Sequence, residues 1–328
     1  MVTIAIDAMG GDRAPTEVVA GAISAYRAGC GMVLVGDETR IAPLLEAEGV
    51  ELPIVHASEV VEMNEDPARA LRDKKDSSIR VTAGLVASGA AGGMVSAGST
   101  GAAIAAAAFI VGRLPGVGRP AIATLFPGDT VVLDAGANLT CRPGDLAQFG
   151  HMGAALAQSH FGVASPRVGL LNIGEEAGKG RDLEKQAYEL LAELEGIDFV
   201  GNVEGRDIAT SKADVFVTDG FVGNVVLKTA EGAGTMLLAL MRDIIASQPA
   251  EAETSGISSA FGDLFERLQP EATGGAHLLG TKGVVVIAHG SSSRQAIANA
   301  IALADEGVRT RLVDKIASGM PEAGDGSS

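Results

Sequence analysis

The sequence predicts an α/β fold in three layers, α/β/α, with a mostly parallel sheet in the middle. Three observations carry that reading. Apolar runs of strand length alternate with stretches of helical length along almost the whole chain. Apolar residues make up 47% of it and glycines number 44, while aromatics reach only 3%, which suits tight strand–helix turns around Ala, Val, Ile and Leu. Glycine-rich or polar turns follow six of the apolar runs, and in open sheets of this class ligands bind at the carboxyl ends of strands.

Strands are expected over 2–6, 32–35, 53–55, 93–95, 122–125, 131–133, 168–172, 199–202, 215–217 and 284–287, each a short apolar run bounded by turn residues. Helices are expected over 15–28, 38–48, 100–109, 145–161, 182–194, 224–246 and 292–305. Pro15 opens the first helix, where its fixed φ and missing N–H cost nothing. Only Phe126 to Thr130, containing Pro-Gly-Asp, joins 122–125 to 131–133, so an antiparallel hairpin interrupts the parallel order.

The 328 residues suffice for one catalytic unit over 1–320, with two lobes around a cleft, and a low-complexity tail at 321–328. The helix at 224–246 is apolar on most faces but carries Lys228, Glu231, Arg242 and Asp243, so it suits a core or subunit interface better than a membrane span. Beyond it, Ile257, Phe261, Leu264, Phe265 and Leu268 form one apolar stripe, either packed on protein or dipping into lipid. The segment 220–285 is therefore expected to be helical and to serve dimerisation and membrane contact.

A formal charge of −16 excludes non-specific nucleic-acid binding. Cys30 and Cys141 stand far apart without metal-ligand spacing, which fits a reducing cytoplasm and predicts neither a disulfide framework nor a metal site. No charged segment with an apolar core opens the chain, so no signal peptide is expected.

An acidic protein with an anionic ligand must build its site from backbone N–H groups and local cations. The six turns supply them: Asp7 with Gly10, Gly11 and Asp12; SAGSTGA with Gly98, Ser99 and Thr100; DAGAN with Asp134 and Asn138; NIGEEAGKG with Asn172 and Lys179; TDGFVGN with Asp219 and Asn224, then Lys228; and AHGSSS with His289 and Ser291. All six are placed at one edge of the sheet. SAGSTGA suits phosphate, with hydroxyls where a helix begins, although an N-cap explains Ser99 equally well. Neither GxxxxGK[ST] nor GxGxxG occurs at these turns. His289, at a strand end, is the candidate acid or base. Asp12 is a candidate for the phosphate site or for capping the Pro15 helix. Arg69, Arg72, Lys74, Lys75 and Arg80 form a basic cluster on a short helix opened by Pro67, either a solvated face or a dock for an acidic partner.

Together IAIDAMGGD, EDPARALRDKKDSSIR, SAGSTGA, RPAIAT, LDAGAN, NIGEEAGKG, VTDGFVGNVVLKT and GGAHLLGTKGVVVIAHGSS resemble, collinearly and over nearly the full length, the bacterial phosphate acyltransferases of phospholipid synthesis (the PlsX family). Ser99 stands where that motif more often has Asn. The resemblance implies a fold like the isocitrate and isopropylmalate dehydrogenases and phosphate acetyltransferase. It implies that acyl-[acyl carrier protein] and inorganic phosphate give acyl phosphate and free carrier, without cofactor or metal. It also implies a homodimer in the cytoplasm, peripherally associated with the membrane where a glycerol-3-phosphate acyltransferase takes the product. In that scheme phosphate attacks the thioester directly, Lys179 or Lys228 offsets charge, Asn224 or backbone amides stabilise the oxyanion, Asp219 orients, and His289 moves a proton. The basic cluster would dock the carrier, and Phe261, Leu264 and Phe265 would touch the membrane. A decarboxylating dehydrogenase using Asp134 and Asp219 around a metal, and an acyl-carrier-binding scaffold, are the rival readings.

Overall fold

The computed structural model describes residues 3–126, 129–210, 212–246 and 273–320. Its strands are β1 (Ile4–Asp7), β2 (Met32–Gly36), β3 (Ile54–His56), β4 (Gly93–Ser96), β5 (Ala121–Phe126), β6 (Thr130–Leu133), β7 (Arg167–Leu171), β8 (Asp198–Val203), β9 (Val215–Val217), β10 (Ala276–Leu279) and β11 (Val284–Ile287). They pair into one sheet in the order β3-β2-β1-β4-β11-β10-β5-β6-β9-β7-β8.

Successive strand residues point to opposite faces, and both faces are covered. Ile4, Ile6, Val95, Val286, Leu133 and Val217 enter one core. It is closed by α1 (Thr16–Arg27), α2 (Glu38–Ala47), α6 (Pro143–His160), α7 (Asp182–Ala192), α9 (Arg294–Arg309) and α10 (Leu312–Gly319). Their neighbours Ala5, Met94, Val285 and Ile287 enter the opposite core, with α3 (Pro67–Asp73), α4 (Ser78–Ala87) and α5 (Thr100–Ala106), which runs on into a π-helical turn (Ala107–Val111). Val132 and Phe216 extend that second layer toward α8 (Gly220–Ala246). Burial on two faces explains why the strands read as unbroken apolar runs.

The predicted hairpin is present, with Ala123 opposite Leu133 in an antiparallel pair. Three elements escaped the sequence reading: α4, α10 and β10, the last of which lies between β11 and β5 and is antiparallel to both. The segment 220–285 is accordingly not helical throughout, since Ala276–Leu279 is strand.

The hairpin has a further consequence. β1, β4 and β11 are mutually parallel, β10 reverses, β5 restores their direction and β6 reverses it again, followed by β9 and β7 in parallel. The turns after β6, β7 and β9 therefore lie at the edge opposite those after β1, β4 and β11. The single shared edge expected for all six turns is corrected to two edges of three turns each.

Candidate active site

At the first edge the turns after β1, β4 and β11 interlock through their backbones. The Asp12 N–H donates to the Gly290 carbonyl at 2.8 Å, and the Ala288 N–H to that of Ser96 at 2.9 Å. Gly10 lies so close that a Cβ there would stand 2.6 Å from Asp7 Oδ2 and 2.8 Å from the Gly98 nitrogen. Gly11 has φ +113°, in the region where a side chain is strained. These two glycines let the turns after β1 and β4 close on one small cavity, lined by Asp7, Gly10, Ser78, Ser96, Gly98, Ser99 and apolar residues of the neighbouring elements, while the turn after β11 packs against them through its backbone.

Asp7 sits at the bottom, 2% exposed. Ser96 Oγ donates to its Oδ2 at 2.7 Å and in turn accepts from the Gly98 N–H at 3.1 Å. Burial pushes the carboxyl pKa up, opposed by Ser78, Ser96 and the Met9 and Gly10 amides. None of these closes a well-formed hydrogen bond to Oδ1, which is buried and without a partner. Ser99 occupies the N-cap position of α5, yet its hydroxyl caps no amide. Of its two readings from sequence, the capping one fails. The hydroxyl and the first amides of α5, Thr100 included, remain available at the cavity mouth. Asp12 does not cap α1 either, because Pro15 holds that position.

His289 stands exposed on the turn after β11, next to Gly290, whose carbonyl accepts from the Asp12 N–H. Its Nδ1 accepts from the Ser291 N–H at 3.3 Å and lies 2.8 Å from Ser291 Oγ. A backbone amide can only donate, so the neutral ring carries its proton on Nε2. In this state His289 offers a donor, and a base role would require loss of the Ser291 contact.

The basic segment flanks the same edge, since α3 packs against α5 with Pro67 over Gly101. Its five cations are not equivalent. Lys74 Nζ is fixed at 2.6 Å from both the Val60 carbonyl and Glu65, and Arg80 donates to the Leu71 carbonyl at 3.0 Å. Both are part of the local structure, which corrects their assignment as free docking groups. Arg69 and Arg72 pair with Asp73 while staying about three-quarters exposed, and Lys75 is exposed.

The opposite edge has a different character. Asp134 is fully buried and accepts from the Ile122, Gly136 and Ala137 amides on Oδ1, and from the Asn138 amide and side chain on Oδ2, all within 3.0 Å. Asn138 also donates to the Pro120 carbonyl. Asn172 bridges the Lys179 carbonyl and Asn202. These residues, expected at the substrate, are committed to folding their own turns. Asp219 accepts from the Val222 amide of α8 at 2.8 Å and from Arg181 at 2.6 Å. Lys228 pairs with Glu231 and Lys179 faces Glu176, both at the surface. Asn224 is exposed in the first turn of α8, next to Gly136. β6 stands five strands from β1 and three from β11, roughly 24 Å and roughly 14 Å along the sheet. Lys179, Lys228, Asp219 and Asn224 follow strands that run opposite to β11, so they leave the sheet at the other edge from the turn of His289.

The profile of the family described as "Fatty acid synthesis protein" matches residues 2–315. Phosphate acyltransferase of Pelotomaculum thermopropionicum is 49% identical over 324 residues, covering 96% of this chain and 94% of that protein. Its counterpart in Desulforamulus reducens is 47% identical over 322 residues, covering 96% of each. The chain belongs to this family.

Among solved structures, EutD phosphotransacetylase from Staphylococcus aureus superposes with a TM-score of 0.60 at 17% identity, covering 94% of both chains. A 4-hydroxythreonine-4-phosphate dehydrogenase from Klebsiella pneumoniae gives 0.55 at 12%, covering 92% of this chain and 98% of that one. At these identities the likeness concerns the fold, and it agrees with the three-layer sheet. Family membership bears out the resemblance read from the motifs. Three residues of the two edges went unremarked: Ser78, Ser96 and Arg181. Ser96 and Ser78 read as strand-end and helix-start residues, and only the pairing of β1 with β4 brings Ser96 to Asp7. Phe261, Leu264 and Phe265, and the tail 321–328, lie outside the described residues.

Proposed function

We propose that this phosphate acyltransferase family member takes its acyl group from an acyl carrier protein and that phosphate attacks the thioester directly at the first sheet edge. The carrying observation is the convergence of the turns after β1 and β4 on a cavity lined by Asp7, with one unpartnered oxygen, and by Ser99, whose hydroxyl caps no amide. That the chain is an acyltransferase rests on its family.

In the proposed reaction a phosphate oxygen bonds to the thioester carbon, the carbon–sulfur bond breaks, and hydrogenphosphate loses the proton that the departing thiolate gains. The cavity fixes phosphate, supplying proximity and orientation. In this reading the Nε2–H of His289 stabilises the oxyanion or hands a proton to sulfur. Cys141 is a poor acyl-enzyme nucleophile, because burial, with Asp134 nearby, pushes its thiol up to about 11. The exposed Arg69, Arg72 and Lys75, next to α5, form the dock for an acidic carrier. An α8-mediated homodimer, peripheral membrane contact through Phe261, Leu264 and Phe265, and a membrane glycerol-3-phosphate acyltransferase as consumer of the product complete the reading. Among the described residues no helix is long and apolar enough to cross a membrane.

The dehydrogenase alternative depended on Asp134 and Asp219, and both carboxylates are occupied by backbone amides and Arg181. The test is a long-chain acyl carrier protein incubated with and without phosphate, with product trapped by hydroxylamine. Phosphate-dependent acyl hydroxamate, reduced about a hundredfold in His289→Ala, is expected. NAD reduction instead would favour the dehydrogenase, and carrier binding without turnover a scaffold.

A further inference from the structure

The buried carboxylate at the bottom of the cavity has no role in a simple anion site. A fixed negative charge beneath a bound anion costs several kcal/mol at close range in a poorly solvated setting. No arginine or lysine lines the cavity to offset it. The flanking charges are turned elsewhere: Lys74 to Glu65 and the Val60 carbonyl, Arg80 to the Leu71 carbonyl. Asp12 stands beyond Gly290, and His289 directs Nδ1 to Ser291. On the α4 side Ser78 is the polar residue at the cavity, and on the α5 side Ser99.

One arrangement removes the conflict. Oδ2 of Asp7 accepts from Ser96, and Oδ1 of this cavity-lining residue is buried without a hydrogen-bond partner. An oxyanion that carries a proton can donate it to that oxygen, turning repulsion into a charge-assisted hydrogen bond. An oxyanion without a proton cannot, unless Asp7 first takes one from solvent. We infer that Asp7 is the specificity determinant of the phosphate site, selecting a protonated tetrahedral oxyanion, hydrogenphosphate, over an unprotonated one such as sulfate. This rests on the reading of the first edge as the phosphate site. The upward pull of burial on the Asp7 pKa has a corollary: sulfate should gain affinity as pH falls and Asp7 takes up a proton.

The test measures binding of inorganic phosphate, arsenate and sulfate by calorimetry on the full chain at about pH 8, where phosphate and arsenate still carry one proton and sulfate carries none. Wild type should bind phosphate and arsenate at least about tenfold tighter than sulfate. Asp7→Asn should bring the three to within about threefold of one another, because an amide can donate to any oxyanion. Equal binding of sulfate and phosphate by wild type, or a preference that survives in Asp7→Asn, overturns the inference. The wild-type comparison stands alone if the variant does not fold. Ser99→Asp separates the two levels by placing a second charge at the cavity mouth. If it weakens phosphate binding while wild type fails to discriminate, the site reading survives without the selectivity. If neither variant changes phosphate affinity, phosphate binds elsewhere and both fall.

Discussion

The Arg181 guanidinium donates to Asp219 at 2.6 Å and also holds Glu184, so one side chain ties the start of α7 to the start of α8. Asp219 is 4% exposed and is itself the N-terminal cap of α8 through the Val222 amide. Replacing Arg181 by Met leaves two acceptors short of a donor. The expected cost is about 1–3 kcal/mol, toward the lower end because Arg181 is largely exposed and the pair is screened. Urea unfolding should show a lower midpoint with an unchanged slope. An unchanged midpoint would mean that the pair contributes nothing to stability.

Two histidines set an acid limit, His277 buried and His151 half-buried. His277, 2% exposed in β10, is held down to about 3 by burial, with His160 adding to the effect. His151 on α6 is also pushed down by burial, and neither ring nitrogen has a partner. A folded pKa below the unfolded value near 6.5 means the unfolded chain takes up the proton first. The stability is therefore complete above pH 6.5 and is lost as pH falls below it. Between that point and its folded value of about 3, His277 contributes a slope of up to about 1.4 kcal/mol per pH unit. Unfolding free energies measured between about pH 7 and pH 5 should fall less steeply in His277→Leu than in wild type. Parallel curves would rule this out.

In the basic segment, charge reversal separates docking from folding. Arg69→Glu, Arg72→Glu and Lys75→Glu change side chains that face solvent, and together should weaken binding of an acidic carrier by about tenfold or more at low salt, converging with wild type as salt rises. Their melting temperature should move little. Lys74→Glu sets a carboxylate against Glu65 and the Val60 carbonyl, so it should lower the melting temperature by several degrees. Carrier affinity by titration and melting by calorimetry give the two readouts. A triple variant that binds the carrier normally would move the dock off this helix.

Much of this fold is visible in the residues themselves, because strands buried on both faces announce themselves as short apolar runs and the Pro-Gly-Asp turn announces its hairpin. β10 does not, since AHLL is four residues between glycines, and it is held by the adjacent β11 on one side and by β5, distant in sequence, on the other. The direction of half the sheet depends on the hairpin between β5 and β6, and so does the edge at which each turn emerges. Turn chemistry alone consequently cannot divide Asp7, Gly98, Ser99 and His289 from Asp134, Asn172 and Asp219. The residue types are the same in both groups, and what differs is that the second group's oxygens are filled by nearby amides and Arg181. Asp7 differs for the opposite reason. Its free oxygen results from how Ser96, brought in by an adjacent strand, takes only one side of the carboxylate.

The 27 residues of α8 span roughly 40 Å. Met236, Leu240 and Ile244 recur every four residues with Leu237 alongside, and each is 51–60% exposed. Phe221 and Val225 repeat the spacing one end earlier, at 60% and 52%. By contrast Leu238, on the other side of the helix, is buried. An exposed apolar stripe along a helix marks an interaction surface, and a second copy of α8 offers a matching stripe. Leu237→Glu with Leu240→Glu would place two charges per chain in that contact, and desolvating them would cost several kcal/mol. Sedimentation at micromolar concentration should then show a dimer for wild type and a monomer for the double variant, with the circular dichroism of the two unchanged. A wild-type monomer, or a double variant that still dimerises, would place the association surface elsewhere.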